Sequence, residues 1–325
     1  MRLFRAPVAL VVSLTLALTM TGCIGLSSAS SFVPGANPGS VKAVPSLKGV
    51  TLTVGSKDFT EQLILGKMAV ILLRVAGADV VDKTNIQGSN AVRKAQESGA
   101  IDIAWEYTGT SWISYNGHEN PIRDQQKQWQ VVHDEDLRHN IQWLPMAPLN
   151  DTYAFGVRAA EAKKLGVTKL SDLSKLSTKD LSFCVESEFA SRNDGFPGAL
   201  RTYGIPLGSK VSRSNVHNLD TGVVYTATAK GTCNFGEVFT TDGRINGLHL
   251  TVLADDKHFF PNYNVAVNVY EPIYKKHPEI AKVFDGVTKK LTNEQMAVMT
   301  AQVDMEGADP AIVAHDWLKK NGFVS

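Results

Sequence analysis

The sequence has few cysteines, no excess of charge of either sign and no long apolar run beyond its first 22 residues. Its 325 residues contain 3 cysteines, and 33 Lys and Arg stand against 32 Asp and Glu. A net charge of +1 provides no electrostatic field that would attract nucleic acid, and no basic run or base-stacking motif is present. After residue 23, no segment stays apolar for the roughly 20 residues that a membrane-spanning helix needs. Nucleic-acid binding and an integral membrane fold are therefore not expected.

The motifs of common enzyme classes are also missing. The sequence contains no Gly-x-Ser-x-Gly elbow, no phosphate-cradling glycine loop, no dinucleotide fingerprint and no His-Glu-x-x-His zinc motif. The 8 histidines are scattered, and neither Cys184 nor Cys233 has a His or Cys at metal-ligand spacing. We expect no enzyme, no cofactor and no metal site. The alternative function, a two-lobed enzyme, is disfavoured because these motifs are missing.

What the sequence does have at its start is the pattern of an export signal. Arg2 and Arg5 precede an apolar stretch from Ala6 to Met20, and two further residues lead to Cys23. The stretch is shorter than a comfortable membrane span. Residues 1–22 are therefore predicted to be a signal peptide.

The residues around Cys23 resemble a bacterial lipoprotein cleavage site, in which the cut falls before the cysteine and its thiol carries diacylglycerol. Met20 stands where that motif usually has Leu. The alternative is an ordinary cut among Ser27 to Ser31, with Cys23 discarded. Lipidation of Cys23 predicts a protein held by its lipid at the extracytoplasmic face of the cell membrane.

The segment that follows, residues 23–46, is predicted to be a flexible tether. It is rich in Ser, Gly, Pro and Ala, so it buries too little apolar surface to offset chain entropy. The rest of the chain, residues 47–325, has a length that suits two domains. In an exported protein, Cys184 and Cys233 are expected to form a disulfide more often than to remain free thiols.

Strand and helix patterns alternate along this part of the chain. The β-branched Val50–Val54 is followed by apolar residues at helical spacing from Phe59 to Ala76, and then by a strand pattern over Asp79–Ile86. A similar series begins after Tyr153. Such alternation indicates parallel sheets with helices on their faces. The sequence thus predicts an α/β protein of two lobes, the first formed by residues 47–152 and 263–325 and the second by residues 153–262.

Loops that carry aromatic residues follow predicted strands in both lobes, at the strand ends where open α/β sheets place their ligand sites. An isolated Tyr or Phe at such a position usually packs in the core or at its rim. Four such loops in one chain indicate a shared site. They are Trp105–Thr110, Asn150–Tyr153, Phe239–Arg244 and Phe259–Tyr263.

These loops, taken together and in this order, resemble one family: the osmoprotectant (glycine betaine, choline, carnitine) substrate-binding proteins of ATP-driven ABC importers. The resemblance implies a periplasmic-binding-protein-like fold of type II, with two α/β lobes joined by two crossover segments. It also implies a membrane permease and its ATPase as partners, which we expect to be separate chains. The matching stretches are 55–68, 106–110, 150–157, 240–245 and 255–263.

The same resemblance implies an aromatic cage around a quaternary ammonium group. It assigns cage positions to Tyr107, Tyr153 and Tyr263, and to Phe239 at a position usually held by Tyr. A trimethylammonium group cannot donate N–H hydrogen bonds, so ring quadrupoles and dispersion must hold it. Several rings are therefore needed.

For the carboxylate of a betaine, the resemblance implies two cations, Lys57 from the first lobe and Arg192 from the second. The planar fork of an arginine suits a carboxylate, and Thr110 would add a hydroxyl donor. A carboxylate held between residues of both lobes would favour the closed state.

A different small zwitterion, such as ergothioneine, an amino acid or a sulfonate, is the alternative ligand. A primary amine needs a carboxylate partner, whereas an aromatic cage supplies none. Glu106, Asp151 and Asp242 lie close to the candidate residues in sequence, so charge type alone leaves both alternatives open.

Overall fold

The computed structural model describes residues 32–325, so the predicted signal peptide and Cys23 lie outside the described residues. Ten strands are described: β1 Thr51–Lys57, β2 Asp79–Ile86, β3 Ile103–Tyr107, β4 Ile141–Trp143, β5 Tyr153–Arg158, β6 Phe183–Val185, β7 Val216–Asn218, β8 Phe235–Phe239, β9 Leu250–Val252 and β10 Val265–Tyr270.

Helices connect these strands and cover the sheets. The described α-helices are α1 Thr60–Val75, α2 Ser89–Glu97, α3 Gln125–Asp136, α4 Ala159–Leu165, α5 Ser187–Ser191, α6 Phe196–Thr202, α7 Thr221–Lys230, α8 Arg244–Gly247, α9 Glu271–Lys276, α10 Ile280–Lys290, α11 Asn293–Asp304 and α12 Pro310–Lys320. A π-helical turn, Thr110–Tyr115, comes shortly after β3.

The strands form two five-stranded sheets. The first has the order β2-β1-β3-β10-β4, and the second has the order β7-β6-β8-β5-β9. In each sheet, one strand that enters from the other half of the chain runs antiparallel to its neighbours: β10 in the first and β5 in the second. The two sheets fall within the two lobes predicted from the sequence. The fold is the expected α/β architecture of two lobes.

Burial explains the order of the first sheet. Every residue of β3 is buried, which suits a central strand, whereas β2 alternates between exposed and half-buried residues, which suits an edge strand. Helix α1 is buried around most of its circumference, because α11 and α12 pack over the side that faces away from the sheet. The C-terminal helices thus belong to the first lobe.

A disulfide ties two parts of the second lobe together. Cys184 in β6 is bonded to Cys233, which lies just before β8, with a Cα–Cα distance of 5.7 Å. This is the pair predicted from the sequence. The bond links neighbouring strands, since β6 pairs in parallel with β8.

Two crossover segments, residues 144–152 and 253–264, connect the lobes, and they lie side by side. Asn150 and Asn264 form an isolated antiparallel bridge. The backbone N–H of Asp151 donates to the carbonyl of Tyr263 at 3.2 Å, and the backbone N–H of Tyr263 donates to Asn150 Oδ1 at 2.7 Å. The chain therefore passes between the lobes as a hydrogen-bonded pair of strands.

The structure differs from the predicted tether at residues 37–44. Asn37 exchanges two backbone hydrogen bonds with Ser325, and the N–H of Val41 donates to the carbonyl of Phe323. The N–H of Val44 donates to the carbonyl of Ala76. Val41 is buried in the hydrophobic core, and Val33, Ala36 and Val44 pack against it. Backbone pairing and a few scattered apolar contacts leave no periodic pattern in the sequence, so composition alone did not reveal the attachment. This part of the segment is attached to the first lobe.

Buried acidic side chains lie where the lobes meet the first crossover. Glu61, in α1, accepts hydrogen bonds from the hydroxyls of Tyr107 at 2.8 Å and Thr241 at 2.6 Å. Asp151 accepts from the backbone N–H of Thr241 at 3.2 Å. Burial raises the pKa of Asp151 to about 7. Burial, together with the charge of Asp151, also raises the pKa of Glu61.

This arrangement predicts an unusual dependence of stability on pH. Because the folded-state pKa of Asp151 lies above its unfolded value, the folded protein binds more protons between about pH 4 and pH 7. The free energy of unfolding should therefore fall as pH rises through this range. Asp151→Asn keeps an acceptor for Thr241 and should raise stability at pH 8 and flatten the slope. Urea unfolding of both proteins between pH 4.5 and 8 measures this, and equal slopes would contradict it.

Candidate ligand-binding site

A cavity of about 300 Å³ lies between the lobes, at the ends of the strands that point toward the crossovers. The seven residues predicted from the sequence as ligand contacts all line it: Lys57, Tyr107, Thr110, Tyr153, Arg192, Phe239 and Tyr263. The lining also includes Asp58, Phe59, Gln87, Gly88, Ser89, Asp151, Glu186, Ser187, Glu188 and Thr221. Both lobes and both crossovers contribute to it.

The fold explains why residues so distant in sequence meet here. Lys57 is the last residue of β1, Tyr107 the last of β3, and Phe239 the last of β8. The carboxyl ends of parallel strands meet at one edge of a sheet, so each lobe presents its loops at one edge. Tyr153 begins β5 where the first crossover ends, directly opposite Phe239 in the antiparallel register.

Aromatic rings form a continuous group around the cavity. The ring of Tyr153 lies 5.4 Å from those of both Phe239 and Tyr263, and it is perpendicular to the latter. Phe59 lies 5.1 Å from Phe239 and 6.1 Å from Tyr107. These distances are typical of favourable ring pairs. The group joins rings from both lobes and from the second crossover.

Phe59 is a functional candidate that the sequence reasoning did not select. It reads in the sequence as the first apolar residue of a helix, and in the structure it precedes α1 as the N-cap residue. Its backbone there is extended, with φ −99° and ψ 157°. Its position two residues after the end of β1 could have identified it as a ligand contact, because loops at the carboxyl ends of parallel strands form the ligand site.

The hydroxyls of two of the tyrosines are already occupied by carboxylates. Tyr107 donates to Glu61 at 2.8 Å, and Tyr263 donates to Asp194 at 2.7 Å. Both hydrogen bonds are buried. Tyr107 and Tyr263 therefore offer rings to a ligand rather than free donors.

Lys57 is not an uncompensated cation. Its Nζ lies 2.6 Å from Oε1 of Glu106, and both side chains are 4% exposed. Glu106 is fixed in turn by the backbone N–H of Tyr107 at 2.7 Å and by the hydroxyl of Tyr115 at 2.9 Å. The ammonium also lies 4.9 Å from the ring centre of Tyr107. The positive charge expected to meet a ligand carboxylate is thus balanced by a protein carboxylate.

Arg192 is also paired with acidic side chains. Its Nε and Nη2 donate to Asp194 at 2.8 and 2.6 Å, and its Nη1 donates to Oε1 of Glu188 at 2.9 Å. Nη2 also lies 3.4 Å from the hydroxyl oxygen of Thr110, in the other lobe. Thr110 therefore accepts from the arginine here. The guanidinium lies 5.4 Å from the ring centre of Tyr153.

Hydrogen bonds across the cleft show that the lobes are in contact. The backbone N–H of Ser89, in the first lobe, donates to Oε2 of Glu188 at 3.0 Å. The hydroxyl of Ser114 donates to Asp194 at 3.4 Å. With the Arg192–Thr110 contact, these bonds hold the two rims together. The structure represents a closed arrangement of the lobes.

Among residues 32–325, no group of three or more His, Cys, Asp or Glu side chains is placed to hold a metal ion. None of the helices described there is long and apolar enough to cross a membrane.

Comparison with known proteins identifies the chain's relatives. Residues 50–320 match the family model described as the substrate-binding domain of ABC-type glycine betaine transport systems. A glycine-betaine-binding protein of Pseudomonas aeruginosa is 37% identical over 279 residues, which is 83% of this chain and 88% of that protein. The ergothioneine transport permease/ergothioneine binding protein EgtU of Helicobacter pylori is 31% identical over 84% of this chain, but only 48% of that protein is covered.

Solved structures lead to the same group. A crystal structure of a glycine betaine/carnitine/choline ABC transporter superposes with a TM-score of 0.67 at 27% identity. It covers 84% of this chain and 99% of that one. The expected resemblance to this family is confirmed. Its members bind substrates outside the cytoplasm and are not enzymes, and they work with a permease and an ATPase. The chain belongs to the family of substrate-binding domains of ABC-type glycine betaine transport systems.

Proposed function

We propose that the cavity captures a quaternary ammonium osmoprotectant, glycine betaine or a close relative, for delivery to the permease. The observation that carries this proposal is the group of five rings that line the cavity, contributed by both lobes and a crossover. They are Phe59, Tyr107, Tyr153, Phe239 and Tyr263. This set contains the four cage residues expected from the sequence and adds Phe59.

The chemistry of the lining supports this ligand class. A trimethylammonium group has no N–H to donate, so it gains about 0.5–2 kcal/mol from each desolvated contact with a ring face. The tyrosine hydroxyls at positions 107 and 263 are held by Glu61 and Asp194, so the rings are fixed in place before a ligand arrives. Fixed rings lose less conformational entropy on binding.

Negative charge near the rings adds to the attraction for a cation. Glu106 and Asp194 are buried beside Lys57 and Arg192, and Glu188 lines the cavity itself. Acidic side chains therefore outnumber these two cations around the site. The field of these carboxylates favours a positively charged group in the cavity.

Lobe closure would convert binding into a signal for the transporter. A ligand held by Tyr107 from the first lobe and by Phe239 from the second stabilises the closed state, since the open state offers only one of these surfaces. The paired crossovers at Asn150 and Asn264 provide the hinge. The permease would then recognise the closed form.

Ergothioneine is a second candidate ligand. It is a betaine that also carries a trimethylammonium group, and EgtU, named for ergothioneine, matches this chain. The aromatic rings can hold the trimethylammonium group of either ligand, so the same binding experiments test both candidates.

The ring group predicts which substitutions weaken binding. Tyr153→Ala and Phe59→Ala should each lower the affinity for the preferred ligand by at least about tenfold, because a cation–π and packing contact of about 1.4 kcal/mol is lost. Tyr153→Phe keeps the ring and serves as the matched control, with affinity within about threefold of the original.

The preferred ligand is found by thermal shift with glycine betaine, choline, carnitine, proline betaine and ergothioneine, because a ligand that binds only the folded state raises its stability. Calorimetry on the variants then measures the affinities. No shift with any of the five, or full affinity in both alanine variants, would contradict the aromatic cage.

We also propose that Cys23 carries a lipid that holds the protein on the outer face of the cytoplasmic membrane. The support is the sequence alone: a short signal that ends at Cys23, followed by a segment rich in Ser and Gly. Residues 24–32 would link the lipid to the folded part of the chain, against whose core Val33 packs. Two or more acyl chains on one residue are enough for stable anchoring.

Replacement of the cysteine tests this proposal. Cys23→Ala should move the protein from the membrane fraction to the soluble fraction while the thermal shift with its ligand stays the same. Fractionation followed by immunoblotting measures the distribution. A variant that stays membrane-bound to the same extent as the original would rule out lipidation at this residue.

A further inference from the structure

Glu188 connects three parts of the site. It is the second residue of α5, lines the cavity, and its side chain is 32% exposed. One carboxylate oxygen, Oε1, accepts from Nη1 of Arg192 at 2.9 Å. The other, Oε2, accepts from the backbone N–H of Ser89 at 3.0 Å across the cleft. Both oxygens of this carboxylate are therefore occupied by donors from the two sides.

The surroundings of Glu188 keep it ionised. Ser89 is the first residue of α2, where the unpaired N–H groups of the helix carry partial positive charge. The hydroxyl of Tyr115 lies 3.0 Å from the carbonyl oxygen of Ser89 at this helix end, and its single proton is shared between that carbonyl and Glu106. Partial burial raises the pKa of Glu188, but the charges of Arg192 and Lys57 lower it more, to about 2.

Glu188 also occupies the part of Arg192 that a ligand would need. The Nε and Nη2 of this arginine are held by the buried Asp194, so Nη1 is the position left on the cavity side for a carboxylate. Oε1 of Glu188 already lies 2.9 Å from that nitrogen. The protein thus provides its own carboxylate where a betaine would place one.

We propose that Glu188 is a specificity-determining residue: it competes with a ligand carboxylate for Arg192, and so shifts selectivity toward quaternary ammonium cations without a carboxylate. This inference rests on the proposed function of the cavity. A betaine must displace Glu188 from Arg192, or bring a second negative charge beside it, and either event costs free energy. A cation such as choline meets no such competition, and the charge of Glu188 attracts it.

The variant Glu188→Gln distinguishes the competition for Arg192 from the contact that Glu188 makes across the cleft. The glutamine carbonyl can still accept from Ser89, so the contact between the rims is kept, while the charge that competes for Arg192 is removed. Glu161→Gln is the matched control. Glu161 lies in α4 of the same lobe, is not part of the cavity lining, and pairs with Lys164 instead.

Calorimetry with glycine betaine and choline on the three proteins tests the inference. We expect the ratio of Kd for glycine betaine to Kd for choline to fall at least tenfold in Glu188→Gln and to stay within about twofold in Glu161→Gln. An unchanged ratio in Glu188→Gln, or an equal fall in both variants, would overturn the competition. If Glu188→Gln does not fold, Glu188→Ala should give a change of the same sign, and an unchanged ratio there would equally overturn it.

Failure of the proposed function gives a different result. If the original protein binds neither glycine betaine nor choline, nor the other three ligands of the thermal-shift panel, then the quaternary ammonium site itself is wrong and the inference falls with it. If the original protein binds them and only the ratio fails to move, the cage stands and the role of Glu188 does not.

Discussion

The hydrogen-bonded pairing of the two crossover segments is the constraint on which the rest of the site depends. Asn150 and Asn264 bridge the segments, and the backbone of Tyr263 accepts from the N–H of Asp151 and donates to the side-chain oxygen of Asn150. This pairing sets the two sheets so that the ends of β1, β3 and β8 face one cavity. Rings from different lobes, such as Phe59 and Phe239, then meet at 5.1 Å. The aromatic group is a consequence of this topology.

Charge compensation is the second property of the site. Lys57 and Arg192 line the cavity, yet each lies within hydrogen-bond distance of a carboxylate. Leaving either cation buried without a partner would cost several kcal/mol. The compensation permits both cations to lie in a closed cleft, and it also reduces what they offer to a ligand carboxylate. In the proposed site, recognition would therefore depend more on the rings than on a clamp formed by the two cations.

Much of the fold follows from local patterns in the sequence. The strand Asp79–Ile86 has the bounds that its pattern predicts, and helix α1, Thr60–Val75, lies one residue inside the predicted Phe59 to Ala76 at each end, because alternation and helical spacing are local properties. The seven candidate ligand residues also meet, as the family resemblance implies. Long-range pairings were not accessible in this way. Glu106 lies 49 residues from Lys57, and the partners of residues 37–44 include the last residues of the chain. Phe59 was hidden because its apolar side chain fits a helix start as well as a ring of the cage.

The central claim is that the rings bind a positive charge and not merely a compact apolar shape. The most direct measurement compares glycine betaine with 3,3-dimethylbutanoate, in which carbon replaces the quaternary nitrogen and the shape is kept. We expect calorimetry to show affinity at least about thirtyfold weaker for the uncharged head group, equivalent to about 2 kcal/mol of cation–π and electrostatic stabilisation. Affinities within about threefold of each other would contradict recognition of charge by the cage.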